Sequence, residues 1–125
     1  MSGEGPSPVL GYQFTEAADA DVEHILRESG RRFGPQQRET YARLIDQAVR
    51  MVAEDPERPG SHGRTELGAA IRSFHLELAA RRRGAACHIL YYLRGRLDDG
   101  TQGIIIARVL HEAMDPTRHV LQDLD

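Results

Sequence analysis

Three apolar runs in the C-terminal half of the chain constrain its fold more than any other feature. They are Ile71–Ala79, Ala86–Leu93 and Gly103–His111, and short charged turns that contain glycine separate them. Runs rich in Ile, Leu, Val, Phe and Tyr that are broken by such turns are typical of β-strands joined as hairpins. The sequence therefore predicts a three-stranded antiparallel meander, which the rest of the chain has to cover.

Side-chain alternation within these runs predicts two apolar faces on the sheet. In the first run Phe74, Leu76 and Leu78 share one face and polar residues occupy the other, whereas the second and third runs are apolar on both faces. We expect helices to cover one face and to leave the second open, which also predicts self-association of the isolated chain. The open face is predicted to bind a protein partner through Leu90, Tyr92, Ile104, Ile106 and Leu110.

The N-terminal half predicts an edge strand followed by a helical hairpin. Val9–Phe14 is a short apolar run that we place beside the meander, and Thr15 is a suitable N-cap for the helix that follows. That helix is predicted to stop at Gly34-Pro35, where a second helix starts and continues up to Asp55-Pro56. The predicted fold class is α+β, with the order β-α-α-β-β-β. Residues at helical spacing mark the buried sides: Ala18, Val22, Ile25, Leu26, Ser29 and Phe33, then Tyr41, Leu44, Ile45, Ala48, Met51 and Val52.

A single domain is expected over residues 9–121, because a chain of 125 residues suffices for one hydrophobic core but not for two. The small, polar residues 1–8 predict a flexible N-terminal tail, and residues 122–125 predict a frayed C-terminus. Between the hairpin and the meander, Pro56–Ala70 shows no periodicity. We predict that it is a surface connector without regular structure.

Composition narrows the possible classes of function. A formal net charge of −3 gives no general attraction to nucleic acid or to a membrane surface, and no apolar run is long enough to span a membrane. The one cysteine, Cys87, cannot form an internal disulfide, so a cytoplasmic location is expected. The six histidines include no close-spaced pair of zinc-ligand type, and there is no glycine-rich phosphate loop. Neither a metal nor a cofactor is therefore predicted.

Charged and polar residues gather at the end of the third apolar run: Arg108, His111, Glu112, Asp115, Arg118 and His119. One interpretation is a set of local ion pairs, such as Arg118 with Asp115, each of small energetic weight. The other is a polar rim around the predicted binding face. The sequence leaves both interpretations open.

The order of a strand, a helical hairpin and a meander resembles the RelE/ParE toxin superfamily of bacterial type II toxin–antitoxin systems. The motifs that carry the resemblance lie between Tyr12 and Val120, and they include FTEAADADVEHI, RRFGPQQRETYARLIDQAV, IRSFHL, HILYYL and IIIARVLHEAMDPTRHV. The ParE branch is the more similar one. The resemblance implies a non-enzymatic toxin that poisons DNA gyrase and forms a hetero-oligomer with a ParD-like antitoxin, without contacting nucleic acid directly. It also implies target binding near the C-terminus, by Arg108, His111, Asp115, Arg118 and His119.

Two other functions remain open. In a RelE-like endoribonuclease that cuts mRNA, the motif would place Glu66, His88 and His111 in catalytic positions. His88 then stands where an Arg is expected and Glu112 where a Tyr is expected, and a carboxylate beside a scissile phosphate repels it. The sequence therefore favours a binding toxin over a nuclease with a rearranged site. The third possibility is a non-toxic ParE-like member of an autoregulatory complex.

Overall fold

A computed structural model describes residues 10–120 of the chain as an α+β fold, which confirms the predicted class. The predicted tail at residues 1–8, the strand residue Val9 and the predicted frayed end at residues 122–125 lie outside the described residues. The helices are α1 (Glu16–Phe33), α2 (Pro35–Glu54) and α3 (Glu77–Ala80), and Pro116–Arg118 forms a 3-10 turn. The strands are β1 (Gly11–Phe14), β2 (His62–Gly63), β3 (Arg72–His75), β4 (His88–Arg96) and β5 (Gln102–His111).

The helical hairpin formed by α1 and α2 has the predicted boundaries. The Thr15 hydroxyl accepts a hydrogen bond from the Ala18 amide at 3.0 Å and so caps the start of α1. Gly34 separates the two helices with a φ of 93°, a conformation that costs a glycine little. Pro35 is the first residue of α2, where its missing amide hydrogen has no consequence. Local end signals therefore determine this half of the fold.

The sheet has the order β1-β5-β4-β3-β2. Strands β3, β4 and β5 form the predicted antiparallel meander, and β1 pairs in parallel with β5 at one edge. Gly103 permits this close pairing, since a side chain there would lie 2.6 Å from the carbonyl oxygen of Gly11. The connector was predicted to lack regular structure, but its residues His62 and Gly63 form β2 at the other edge.

The first predicted strand, Ile71–Ala79, is wrong in its extent. β3 ends at His75, and the next residues form the single helical turn α3, which stops at Arg81 in the left-handed conformation. The sequence Glu-Leu-Ala-Ala consists of good helix formers, which explains the change of structure. As a result Leu78, which was assigned to the core face, is exposed.

The main core lies between the helical hairpin and one face of the sheet, which we call the helix side. Four of the residues predicted to bind a partner are fully buried there: Leu90, Tyr92, Ile104 and Ile106. The prediction that this face is open is therefore wrong, because α1 and α2 cover it. Phe33, predicted to be buried in α1, is instead 69% exposed.

A β-bulge in β5 explains why Leu110 was grouped with the wrong face. Tyr91 pairs with Arg108 and Tyr92 with Ile106, so Ala107 is an extra residue in β5. The extra residue reverses the alternation of the side chains that follow it. Val109 consequently packs in the main core, and Leu110 packs on the opposite face of the sheet.

That opposite face, the outer face, is also largely covered. Its cluster consists of Leu67, Ile71, Tyr91, Leu110 and Val120, with Ile89 and Leu93 half-buried against it. The cover comes from the connector and from the residues after β5, which the sequence pattern did not indicate. No helix between residues 10 and 120 combines the length and the hydropathy that a bilayer crossing requires.

Candidate functional site

A groove of about 710 Å³ opens at one end of the sheet, between α1, the first half of α2 and the adjoining ends of β4 and β5. Ile25, Tyr41 and Val109 contribute buried apolar surface to it, and Arg32 and Met114 also line it. Its volume lies within the range of ligand pockets, which is roughly 300–1,000 Å³. The groove is therefore a candidate functional site.

Tyr41 and His88 are hydrogen bonded at one side of the groove. The Tyr41 hydroxyl lies 2.6 Å from Nδ1 of His88 and accepts a hydrogen bond from the Cys87 amide at 3.3 Å. The hydroxyl therefore joins the start of β4 to the His88 ring. Burial, together with His111 and His75, lowers the pKa of His88 to about 4. Burial also raises the pKa of Tyr41 well above its usual value. Both groups are therefore neutral near pH 7.

His111 completes a row of histidines across the ends of three strands. Its ring packs edge-to-face on His88 with 5.4 Å between the ring centroids, and its Nδ1 accepts a hydrogen bond from the Ala113 amide. On the far side of β4, His75 Nε2 lies 2.6 Å from Oε1 of Glu112, and this hydrogen bond lowers the pKa of Glu112. The row thus combines two half-buried imidazoles, His75 and His88, with the exposed His111 and one carboxylate.

Arg108 is held by a carboxylate from the first helix. Its guanidinium donates two hydrogen bonds of 2.7 Å to Asp21, and the same carboxylate accepts a hydrogen bond from the Val109 amide at 2.9 Å. Both side chains of this ion pair are largely buried. The sequence analysis missed Asp21, although its position between Ala18 and Ile25 puts a carboxylate on the buried side of α1. Asp21 therefore joins α1 to the end of β5 through the Arg108 side chain and the Val109 amide.

The remaining C-terminal residues predicted to bind the target divide into two places. His111 lines the groove, whereas Asp115 and Arg118 are exposed at the 3-10 turn. The distance from Arg118 Nε to Asp115 Oδ2 is 3.9 Å. Hydrogen bonds from Thr117 lower the pKa of Asp115. The half-buried His119 accepts a hydrogen bond from Arg108 through its carbonyl oxygen, at 3.4 Å. Asp115 and Arg118 therefore have the contact expected of a local ion pair.

The residues of the nuclease hypothesis are not brought together. Glu66 is paired with Arg64 at 2.7 Å, and Arg64 lies over the ring of Tyr91 on the outer face. In β4, His88 lies on the opposite face of the sheet from Tyr91 and contacts α2 on the helix side. Only His88 and His111 are neighbours. Within residues 10–120, no group of three or more His, Cys, Asp and Glu side chains is arranged to hold a metal ion.

Comparison with known proteins now identifies the family. Residues 12–116 match the family model described as the ParE toxin of the type II toxin–antitoxin system parDE. The chain belongs to the ParE toxin family. It is also similar to Toxin ParE1 of Caulobacter vibrioides, with 28% identity over 109 residues that cover 87% of this chain and 96% of that relative.

Membership of the ParE toxin family confirms the resemblance drawn from the sequence and implies an antitoxin partner. The matched residues include all three α-helices, the whole sheet except Gly11, and the groove. Arg118 and His119 lie beyond the last matched residue, Pro116. Family membership therefore does not bear on target binding by these two residues, which needs its own test.

Proposed function

We propose that the chain is a toxin that inhibits growth by binding and poisoning DNA gyrase, and that a cognate ParD-like antitoxin neutralises it in a hetero-oligomer. Membership of the ParE toxin family supports the first part of the proposal. The similar protein from Caulobacter vibrioides is likewise named a toxin. The proposal assigns no catalytic step to the chain.

One observation carries the choice of binding over catalysis: Arg108, the guanidinium nearest the histidine row along β5, is held by two hydrogen bonds of 2.7 Å to Asp21. Cleavage of a phosphodiester needs cations to stabilise the developing charge and groups that transfer protons near neutral pH. His88 has a pKa of about 4 and is a weak base, and Glu112 adds a negative charge beside it. These features support a toxin that acts by binding.

We place the target contact at the C-terminal end of the chain, on the exposed residues His111, Asp115 and Arg118. In this proposal Arg108 and His119 position the segment, since the Arg108 guanidinium donates to the His119 carbonyl. Asp21 already binds the Arg108 guanidinium at two points, so the proposal does not require the antitoxin to supply a carboxylate to Arg108.

The test is expression of the chain without antitoxin, combined with assays of DNA supercoiling by gyrase and of cleavage of ribosome-bound mRNA. We expect growth arrest and loss of supercoiling, with intact mRNA. Arg118→Ala should lower toxicity, because it removes a guanidinium from the proposed target contact. The side chain is exposed, so its loss should disturb little packing. His111→Gln, which keeps a hydrogen-bonding group but transfers no proton, should remain about as toxic as the wild type.

The neighbouring Tyr41, His88 and His111 favour a second candidate, a RelE-like ribonuclease with a rearranged site. In that case His111→Gln should lower the rate of mRNA cleavage about a hundredfold or more, and Arg118→Ala should have little effect. Absence of growth arrest by the wild-type chain would instead indicate a non-toxic member of an autoregulatory complex. Truncation after Asp115 is a poorer test, because it removes the buried Val120.

A further inference from the structure

A separate cleft, of about 500 Å³, lies between α1 and the first turn of α2. Its lining consists of Glu23, Arg27, Gly30, Arg31, Pro35 and Arg38. None of these residues lines the groove described above. The proposed binding of a target and an antitoxin therefore assigns this cleft no role.

The lining of the cleft carries an excess of positive charge. Arg27 binds its one carboxylate, Glu23, at 2.8 Å, and Arg31 binds Glu28, outside the lining, at 2.7 Å. Among residues 10–120, no carboxylate forms an ion pair with Arg38. Three guanidinium groups and one carboxylate leave the lining with a formal charge of +2, although the whole chain has a formal net charge of −3. The excess is therefore local to this cleft.

Gly30 lets the side chain of Arg38 lie across α1. A Cβ atom at Gly30 would stand 3.3 Å from Cδ and 3.5 Å from Cβ of Arg38, so the arginine stem covers the glycine. Glycine inside a helix is less stable than alanine. At this position it gives room for a guanidinium group of α2 beside those of α1. The local sequence therefore gathers three guanidinium groups from two helices around one concave surface.

We propose that this cleft binds phosphate groups, either the linked phosphates of a small molecule or adjacent phosphodiesters of a nucleic acid. Guanidinium groups form paired, charge-assisted hydrogen bonds with phosphate oxygens. Two adjacent phosphodiesters would offset the formal charge of +2. A peptide segment is a poorer match because, within residues 10–120, the lining offers no large apolar side chain against which an anchor residue could pack.

The experiment is a calorimetric titration of the purified chain with sodium pyrophosphate. We expect the wild type to bind with a Kd below about 1 mM. Arg38→Gln should weaken binding about tenfold or more, because it removes charged donors from the ligand. The matched control is Arg43→Gln, which changes an exposed arginine of the same helix outside the lining. The control should bind within about twofold of the wild type, as expected for an exposed charge away from the site.

Gly30→Leu tests the cleft itself, because this variant keeps all three arginines. The leucine side chain would take the space next to the Arg38 stem and should weaken pyrophosphate binding about tenfold or more. Leucine is a better helix former than glycine, so the variant should melt at no lower temperature than the wild type. Lost binding with a retained melting temperature would assign the loss to the cleft and not to unfolding.

A parallel titration with a short DNA duplex, followed by fluorescence anisotropy, distinguishes the two sources of phosphate. Duplex binding that both Arg38→Gln and added salt weaken would identify the phosphates as those of a nucleic acid. Pyrophosphate binding without duplex binding would identify a free phosphate compound.

Three results would overturn the proposal. They are the absence of binding to both ligands, binding that Arg38→Gln leaves unchanged, and equal weakening by Arg38→Gln and Arg43→Gln. Tighter binding of a hexaglutamate peptide than of pyrophosphate would also overturn it, because the cleft would then select carboxylates. None of these results bears on the proposed function, which growth arrest and the supercoiling assay test separately.

Discussion

His88 is a residue that the fold keeps neutral. Tyr41 is its hydrogen-bond partner, and burial with two neighbouring histidines lowers its pKa to about 4. In the unfolded chain a histidine has a pKa of about 6.5. The unfolded state therefore binds a proton between these two values that the folded state does not bind. The contribution of His88 to stability is fully present above about pH 6.5 and is lost as the pH falls towards 4.

We accordingly expect the free energy of unfolding to fall between pH 7 and pH 4.5. His88 should account for on the order of 1–2 kcal/mol of this fall, after allowance for partial screening by solvent. Urea unfolding at a series of pH values measures the effect. His88→Gln should flatten the dependence, whereas His24→Gln, at an exposed position of α1, should retain it. Equal slopes for His88→Gln and the wild type would contradict this explanation.

The ion pair of Asp21 and Arg108 is a second feature at this scale. Asp21→Ala removes the carboxylate that binds the guanidinium at two points and the acceptor of the Val109 amide. We expect a loss of about 3 kcal/mol or more in the free energy of unfolding, since the substitution removes two charge-assisted hydrogen bonds from a largely buried ion pair. The double variant Asp21→Ala with Arg108→Met should recover part of this loss. Chemical denaturation decides, and a loss below about 1 kcal/mol would place the pair among weak surface contacts.

At the scale of elements, side chains of β3 and β4 hold the first half of the connector Pro56–Ala70 against the sheet. The Tyr92 hydroxyl donates a hydrogen bond of 2.6 Å to the Pro56 carbonyl and lies 2.5 Å from Oγ of Ser61. Arg72 adds hydrogen bonds to the same two residues. These contacts hold the first half of the connector, and they explain why a segment without periodicity has a defined path.

Tyr92→Phe should loosen this segment and lower the free energy of unfolding by about 1–2 kcal/mol, because the hydroxyl partners lose a buried hydrogen bond. All basic residues of the chain are arginine, and two of them, Arg58 and Arg64, lie in the connector. Limited trypsin digestion should therefore cut the variant earlier there than it cuts the wild type. Tyr12→Phe, at an exposed position, is the control, and equal digestion of all three proteins would refute the proposed anchoring.

Elements whose ends are set by neighbouring residues could be predicted from the sequence. Thr15, Gly34-Pro35 and Asp55-Pro56 gave the helical hairpin, and the apolar runs gave the meander. Which side chains of β5 lie on each face of the sheet could not be predicted, because Ala107 is an extra residue in the strand. It reverses the alternation of the side chains that follow it. Residues distant in sequence also cover the outer face. For the same reason the partner of Arg108, Asp21, could not be found by inspecting the C-terminal cluster alone.

For the whole molecule, coverage of both sheet faces changes the expected behaviour in solution. The face predicted to be open and to cause self-association is covered by α1 and α2, and the outer face is largely covered by the connector and by Val120. The two edge strands, β1 and β2, have only four and two residues, and short edges discourage pairing between sheets.

We therefore expect the purified chain to sediment as a monomer at concentrations of tens of micromolar. Phe33, at the groove, is the most exposed large apolar side chain among residues 10–120, so weak association through this surface should disappear in the Phe33→Ser variant. Sedimentation velocity measures both proteins. Concentration-dependent association that Phe33→Ser leaves unchanged would show that another surface is exposed.

The parallel pairing of β1 with β5 affects the timing of folding during synthesis. The register joins Gly11 to Gly103, and the first helix is tied to the last strand by Asp21 and Arg108, 87 residues apart. A ribosome releases the chain from its N-terminus, so the helical hairpin emerges long before the strand that completes the core. Contacts this distant in sequence also slow folding. The complete sheet, and with it the groove at its end, should thus form only when translation of the chain is nearly finished.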